Sequence, residues 1–296
     1  MYKTLKIISI FLLMFIIAAG AYGASEYMKL QNLSEVSKKT AANMNVKYSA
    51  DTDTQLPDQF NVLLLGVDTG EFGRTERGRS DSMIAAHVDL KNEAIKLISL
   101  ERDTYVQIAG QNRFDKLNAA YAYGGEQTAI QTTESMLDTT IPYYMAMNMK
   151  GLESILSIVG DIEVVNDFAF SFDHYDFPKG SLALSPEEAL AWSRMRYDDP
   201  NGDYGRQIRQ QKVIKAIMQK LLTLESIPKV DKIINVLGNN MKTNLPLGEL
   251  LKLYITKNNK FKMSTDQLKG EEEIIDGISY QKMTDAEIKR ISQQLQ

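Results

Sequence analysis

Apolar residues in this chain fall into short unbroken runs and into spaced stripes, and the two patterns predict different elements. Phe60-Asn-Val-Leu-Leu-Leu-Gly66 is nearly continuous and stops at a glycine, as a strand buried on both faces does. Similar runs at 83–88 and 95–100 predict two more strands, joined by the turn-like Asp89-Leu-Lys-Asn92. Helical spacing covers 126–137 and 152–159, while Tyr143-Tyr-Met-Ala-Met-Asn148 and residues 161–166 read as strands. Ser185-Pro-Glu-Glu188 offers an N-cap Ser, Pro at the first helical position and Glu three residues on, so it opens a helix ending near 191–194. A longer helix is predicted over 205–224, with Ile214, Ile217, Met218 and Leu221 as its stripe. Thr284-Asp-Ala-Glu287 repeats the capping pattern ahead of Ile288, Ile291 and Leu295. Strands interleaved with helices predict an α/β fold, an α–β–α sandwich with a mixed central sheet. Residues 225–296 read as the completion of the same domain, with further helices and an edge strand but no legible chemistry.

One apolar stretch fits no globular element. Residues 7–25 carry no charge, follow Lys3 and Lys6, and end at Glu26. That length suits one helix across a hydrocarbon core of ~30 Å. The lysines place residues 1–6 in the cytoplasm and everything after the span outside it. A cleaved signal peptide is the competing reading, because Ala21-Tyr-Gly-Ala24 resembles a small-residue cleavage site. The run exceeds an ordinary signal core, which favours a retained single-pass anchor in the cell membrane. Residues 26–58 are polar and poorly periodic, a stalk beneath a catalytic core at 59–224. The chain holds no cysteine, which removes disulfides, zinc–thiolate sites, thiol nucleophiles and thioether-linked lipid. Its two histidines, His87 and His174, suggest no metal pair, and His87 lies in a strand-like run as a packed structural residue.

Charge is concentrated locally. Formal net charge is only −4, yet Arg194, Arg196, Arg206 and Arg209 crowd into one short segment. Guanidinium groups grip phosphate oxygens in pairs and stay charged at neutral pH. Placed in the first turn of the predicted 205–224 helix, Arg206 and Arg209 oppose its dipole, and a bound anion would relieve that conflict. A salt-bridged surface using Asp198, Asp199 and Asp203 is the plainer alternative. Three further segments put charged groups at strand ends, the usual ligand crevice of open α/β sheets: Gly66-Val-Asp68, Arg79-Ser-Asp81 and Glu101-Arg102-Asp103-Thr104. Asp68 and Asp81 flank one connection and could share a hard divalent cation, which typically takes one or two carboxylates plus phosphate oxygens. Singly, each reads as a turn or cap residue. Lys116-Leu-Asn-Ala-Ala-Tyr121 reads equally as a nearby cation or a helix start. The glycine-rich stretch 69–78 lacks phosphate-loop spacing, and no Gly-x-Ser-x-Gly elbow occurs.

At these residues the chain resembles the LytR-CpsA-Psr family of membrane-anchored phosphotransferases of Gram-positive bacteria. The resemblance runs in order through Asn61-Val-Leu-Leu-Leu-Gly-Val-Asp68, Arg79-Ser-Asp-Ser-Met83, Arg102-Asp-Thr-Tyr-Val106, Lys116-Leu-Asn-Ala-Ala-Tyr121, Phe177-Pro-Lys-Gly180 and Arg194-Met-Arg196 to Gln210. Glu101 departs from it, standing where the family usually has Pro, which bears on loop stiffness and local charge. The resemblance implies transfer of a phosphoglycan (wall teichoic acid, capsular polysaccharide or similar) from an undecaprenyl-pyrophosphate donor to a peptidoglycan acceptor. It further implies Asp68 and Asp81 on Mg2+, or another divalent cation such as Mn2+. Arg79, Arg102, Arg194, Arg196, Arg206 and Gln210 would hold the pyrophosphate. Asp103 and Asp203 would organise arginines or accept the acceptor's proton, with Arg102 stabilising charge. A non-catalytic module binding lipid pyrophosphate or anionic wall polymer would use the same arginines without needing the Asp pair. A nucleic-acid regulator conflicts with the net negative charge and external placement. Oligomeric state is not legible.

Overall fold

The computed structural model describes residues 56–67, 78–221, 240–246 and 261–296. They form two compact units: Asp58–Met149 joined by Phe261–Gln296, and the described part of Lys150–Lys260. The anchor expected at 7–25, nearly all of the stalk, and Asp68 lie outside the described residues. Among the described residues no helix is long and apolar enough to cross a membrane.

The first unit opens with β1 (Gln59–Val67), β2 (Ser80–Asp89) and β3 (Ala94–Leu100), paired antiparallel in series. Asp89 shapes the β2–β3 turn by accepting the Asn92 backbone N–H at 2.8 Å and its amide at 2.7 Å. A small hairpin follows, β4 (Tyr105–Gln107) with β5 (Phe114–Lys116), then helix α1 (Ala119–Leu137) and β6 (Tyr143–Asn148). Helix α1 starts well ahead of residue 126, where its apolar spacing becomes regular. Gly125, with φ 71° and ψ −151°, breaks the helix there, a conformation only glycine adopts without strain.

The second unit begins with α2 (Met149–Val159), whose buried Leu152, Ile155, Leu156 and Val159 keep helical spacing. Strand β7 (Ile162–Asn166), hairpin strands β8 (Phe170–Phe172) and β9 (Tyr175–Phe177), and β10 (Gly180–Leu184) follow, with β7 antiparallel to β10. Asn166 ties this region together. Its amide donates to the Phe168, Phe177 and Pro178 carbonyls at 2.7–2.9 Å, and its oxygen accepts the buried Trp192 indole N–H at 3.1 Å. Helix α3 (Pro186–Arg194) carries the predicted capping box at Ser185, with both reciprocal bonds formed. Helix α4 (Gly202–Leu221) and the short β11 (Met241–Thr243) complete the described part of the unit.

The chain then returns to the first unit through β12 (Lys262–Gln267), hairpin β13 (Glu271–Ile275) with β14 (Ile278–Lys282), and α5 (Asp285–Ser292). Strand β12 lies parallel to β3 and β6 parallel to β1, so the order β6-β1-β2-β3-β12 makes a mixed central sheet. One sheet face, Leu63, Leu65, Val67, Met83, Ala85, Ile98 and Leu100, packs with α1 and the C-terminal Ile291 and Leu295. The opposite face, with Val62, Leu64, Ile84, Ala86, Ile95 and Leu97, is also buried. Both faces being dry explains why β1 reads as a continuous apolar run. Thr284 caps α5 through the Glu287 N–H at 3.2 Å, but Glu287 turns its carboxylate to Arg290, so the cap is one-sided.

Asn61 is the polar exception inside β1. Its amide donates to the Thr140 carbonyl at 2.9 Å and the Leu295 carbonyl at 2.8 Å, while its oxygen meets His87 Nδ1 at 2.9 Å. His87 is thus the packed structural histidine expected, and burial lowers its pKa from the ordinary 6.5. Asn61→Ala strands two carbonyls and one imidazole nitrogen, and should lower stability by about 2–3 kcal/mol in urea unfolding. A base whose folded pKa is depressed takes up its proton more readily when unfolded, so its contribution is present above about 6.5 and fades as pH falls below it. The urea midpoint should therefore drop between pH 7.5 and 5.5, and drop less in His87→Gln.

Candidate functional site

Two clusters of charge occur, one in each unit. In the first unit, β3 ends and β2 begins at the same end of the sheet, because Met83 pairs with Leu100. Asn118 stitches the two segments together. Its carbonyl accepts the Ser80 N–H at 3.3 Å and its N–H donates to the Arg102 carbonyl at 3.1 Å. This brings Arg79, Asp81, Arg102, Asp103 and Lys116 to one corner. Asp81 sits at a bulge, since Gly66 pairs with Ser82 but Val67 with Ser80, leaving Asp81 without a partner across β1. Such bulges re-aim the chain beside functional sites. Beside it Ser80 is fully buried with no hydrogen-bond partner for its hydroxyl.

Arg102 is 6% exposed, and its Nε lies 3.8 Å from Asp103. Lys116 reaches the other oxygen of Asp103 at 3.1 Å. Asp103 therefore holds two cations at once. Lys116 also stands just ahead of α1, whose N-cap Asn118 makes no side-chain cap, so both readings of that motif have a physical counterpart. Glu101, the departure from the family pattern, is buried and accepts the Asp103 N–H at 3.2 Å, while its carbonyl accepts Thr104. A carboxylate fixes this turn where a proline ring would otherwise stiffen it. Arg79 is exposed, and its charge reaches Asp115, Tyr123 and Tyr280.

In the second unit the arginine segment folds differently from expectation. Helix α4 begins at Gly202, so Asp203 occupies the first turn and Arg206 lies one turn in. A carboxylate there suits the helix dipole, and the predicted conflict of Arg206 and Arg209 with that dipole is removed. Asp203 grips Arg206 Nη2 at 2.7 Å and Arg196 Nε at 3.2 Å. Arg194 ends α3 and turns instead to Asp173 at 3.3 Å, so Arg194 and Arg196 do not share a partner. Gln210, one turn beyond Arg206, is 3% exposed with its amide nitrogen unpartnered. Arg209 is not available to a ligand. It is buried against Asp199 and the carbonyls of Trp192 and Met195, and fastens the turn between α3 and α4. Arg209 is ion-paired to Asp199 as the salt-bridged alternative has it, but in the interior and not on a surface. Gly205 permits this packing, because a Cβ there would lie about 2 Å from the Asp199 carboxylate.

Among the described residues no group of three or more acidic or histidine side chains could hold a metal by itself. Sequence reasoning also passed over Tyr105, Tyr280 and the β13–β14 hairpin. The hairpin touches the corner directly, as the Gln281 N–H donates to the Asp103 carbonyl at 2.9 Å.

Comparison with known proteins gives this arrangement a context. The model of the LytR_cpsA_psr family matches residues 24–296. The polyisoprenyl-teichoic acid–peptidoglycan teichoic acid transferase TagU of Enterococcus faecalis is 43% identical over 98% of this chain and 94% of its own length. The crystal structure of B. subtilis TagU superposes with a TM-score of 0.63 at 35% identity, covering 81% of this chain and 96% of that one. The structure of TagT bound to LI-WTA gives a TM-score of 0.65 at 28% identity, covering 84% and 95%.

The Arg209 arrangement yields a stability prediction separate from any activity. Burial pushes the guanidinium below its ordinary pKa, and Asp199 pulls it back. Arg209→Met leaves Asp199 buried without its partner and should cost about 3–5 kcal/mol. Arg194→Met removes a half-exposed pair and should change stability by about 1 kcal/mol or less. Thermal unfolding of both variants measures the contrast.

Proposed function

The chain belongs to the LytR_cpsA_psr family, and from that premise we propose that it transfers a teichoic-acid-type phosphoglycan from a polyisoprenyl-pyrophosphate carrier to peptidoglycan. Undecaprenyl pyrophosphate is the carrier this reading favours, with the catalytic domain tethered by residues 7–25 at the outer face of the membrane. Sharing the bilayer with a lipid donor raises its effective concentration at the domain. The reaction forms a bond from the acceptor hydroxyl oxygen to the transferred phosphorus and breaks the bond to the bridging pyrophosphate oxygen. Polyprenyl phosphate leaves with the electron pair, and the hydroxyl proton passes to a carboxylate. Such chemistry asks the protein chiefly for positioning and for neutralising charge on phosphate oxygens.

The observation that carries the reading is the pairing of cations with carboxylates at both clusters. Asp103 sets Arg102 and Lys116, and Asp203 sets Arg196 and Arg206. Arg79, Arg194 and the buried amide of Gln210 would add contacts to phosphate oxygens. Asp103 is the favoured proton acceptor, and Asp203 the positioning carboxylate. Mg2+ or Mn2+ would be held by Asp68 and Asp81, a hard-oxygen donor set joined by the spare hydroxyl of buried Ser80. When bound, that ion would draw negative charge off the phosphate oxygens.

A second reading, a module that binds the lipid pyrophosphate without transferring anything, uses the same arginines. One assay separates them. The detergent-solubilised full chain is mixed with a polyisoprenyl-pyrophosphate-linked glycan, peptidoglycan and Mg2+. Transfer is expected, lost on chelation, and lowered about 10²–10³-fold in kcat by Arg102→Ala. Asp81→Asn should lose metal dependence along with activity. Tight donor binding with no transfer by the unmutated protein would favour the module instead.

A further inference from the structure

Strands β4, β5 and β14 gather an aromatic cluster beside Lys116 that opens to solvent at Phe114. The rings of Tyr105 and Phe114 stack with centroids 5.1 Å apart and 20° between their planes. Tyr280 meets Tyr105 edge-on at 4.9 Å. Phe114 is 52% exposed, and so is much of Ile278, which shares the Tyr280 side of β14 by strand alternation. Tyr105 is partly exposed and Tyr280, at 7%, is buried against it, so the ring open to solvent is Phe114, lying on a Tyr105 ring fixed from behind. The series also has a charged margin. Lys116 Nζ lies 5.6 Å from the centroid of the Tyr280 ring while bound to Asp103, and Arg113 covers the Tyr123 ring at 4.7 Å. Tyr123 in turn donates to Asp115 at 2.5 Å, which fixes the ring at the rim.

We propose that Phe114 and Tyr105, with the buried Tyr280 packed edge-on behind them, form the platform on which the acceptor glycan strand lies. The proposal rests on the transfer reading above and names the surface that reading leaves undefined. A pyranose has an apolar face of C–H groups ringed by hydroxyls, and a flat, partly exposed aromatic surface with cations at its edge is complementary to it. Lys116 and Arg113 already face Asp103 and Asp115 at 3.1 and 3.6 Å, and Arg113, whose side chain is 52% exposed, is the cation open to a carboxylate that a peptide-bearing glycan carries. The choice of acceptor over donor comes from Asp103. It adjoins the platform through Lys116 and is the carboxylate to which the attacking hydroxyl must come. A sugar lying on these rings is therefore the one whose hydroxyl reacts.

The test uses the full chain in detergent with soluble, uncrosslinked peptidoglycan glycan strands as probe. Strand affinity is read by calorimetry, and acceptor and donor KM by transfer. Phe114→Ala should weaken strand binding and raise the acceptor KM about 3- to 10-fold, with donor KM unchanged. Phe114→Trp should restore both. Phe114 is half exposed, so its truncation leaves no core cavity, and Tyr105→Ala provides an independent second variant. Unaltered strand binding in Phe114→Ala and Tyr105→Ala, or no strand binding by the unmutated protein, would overturn the platform. A rise in donor KM instead would overturn its assignment to the acceptor. Ring-dependent strand binding by a protein that transfers nothing would sink the transfer reading and leave the platform standing.

Discussion

Cations gathered at close quarters need counter-charge, and this chain supplies it with carboxylates that each serve two of them. Two like charges 4 Å apart in a site of effective dielectric ~20 repel by about 4 kcal/mol. Gathering Arg102 with Lys116, or Arg196 with Arg206, would be unfavourable without a counter-charge. Asp103 and Asp203 supply it from positions that the fold fixes. Asp103 sits in the turn after β3, braced by Glu101, and Asp203 sits in the first turn of α4. Each set of two cations on one carboxylate retains a net positive balance.

Burial then divides the arginines by role. Arg209 satisfies its guanidinium entirely within the protein, and the cost of disturbing it makes it scaffold. The Arg194–Asp173 pair is exposed on both sides (33% and 38%) and worth roughly 1 kcal/mol at most, whereas Arg196, 37% exposed, meets a largely buried Asp203. These arginines look alike in sequence, and burial alone separates the fastened Arg209 from the more exposed Arg194 and Arg196.

The strands were legible because both faces of the sheet are buried, which writes β1, β2 and β3 as dense apolar runs. Helix α3 was legible through its cap. The start of α4 was not, since Asn201-Gly-Asp203 has the composition of a turn; Asp199 accepts the Asn201 and Gly202 N–H groups there, and the helix opens at Gly202. The first turns of α1 were hidden for a related reason, because Gly124 and Gly125 interrupt its apolar stripe and the chain kinks at Gly125. Hairpin β13–β14 carries Asp276-Gly277 at its turn, the short-range sign of a tight hairpin, yet its Glu-rich strands bury little and gave no alternation to read. Of the site, the individual charged residues could be named from sequence, but their pairing could not. Nothing in the spacing says that Arg196 joins Asp203 while Arg194 joins Asp173.

The C-terminal segment shows why a residue list falls short of a site. Its last carbonyl contacts run to Asn61 in the first strand, its Leu268 N–H donates to the Ser99 carbonyl, and its Gln281 N–H donates to the Asp103 carbonyl. Those bonds brace the end of β3 and the turn that carries Arg102. Tyr280 adds the ring beneath Lys116. A stretch with no chemistry legible in its own residues therefore sets the geometry of the residues that have it. Asn61 with Leu295, Ser99 with Leu268 and Asp103 with Gln281 are each joined by a hydrogen bond, so the C-terminal segment meets the first unit at β1, at the end of β3 and at the turn after it.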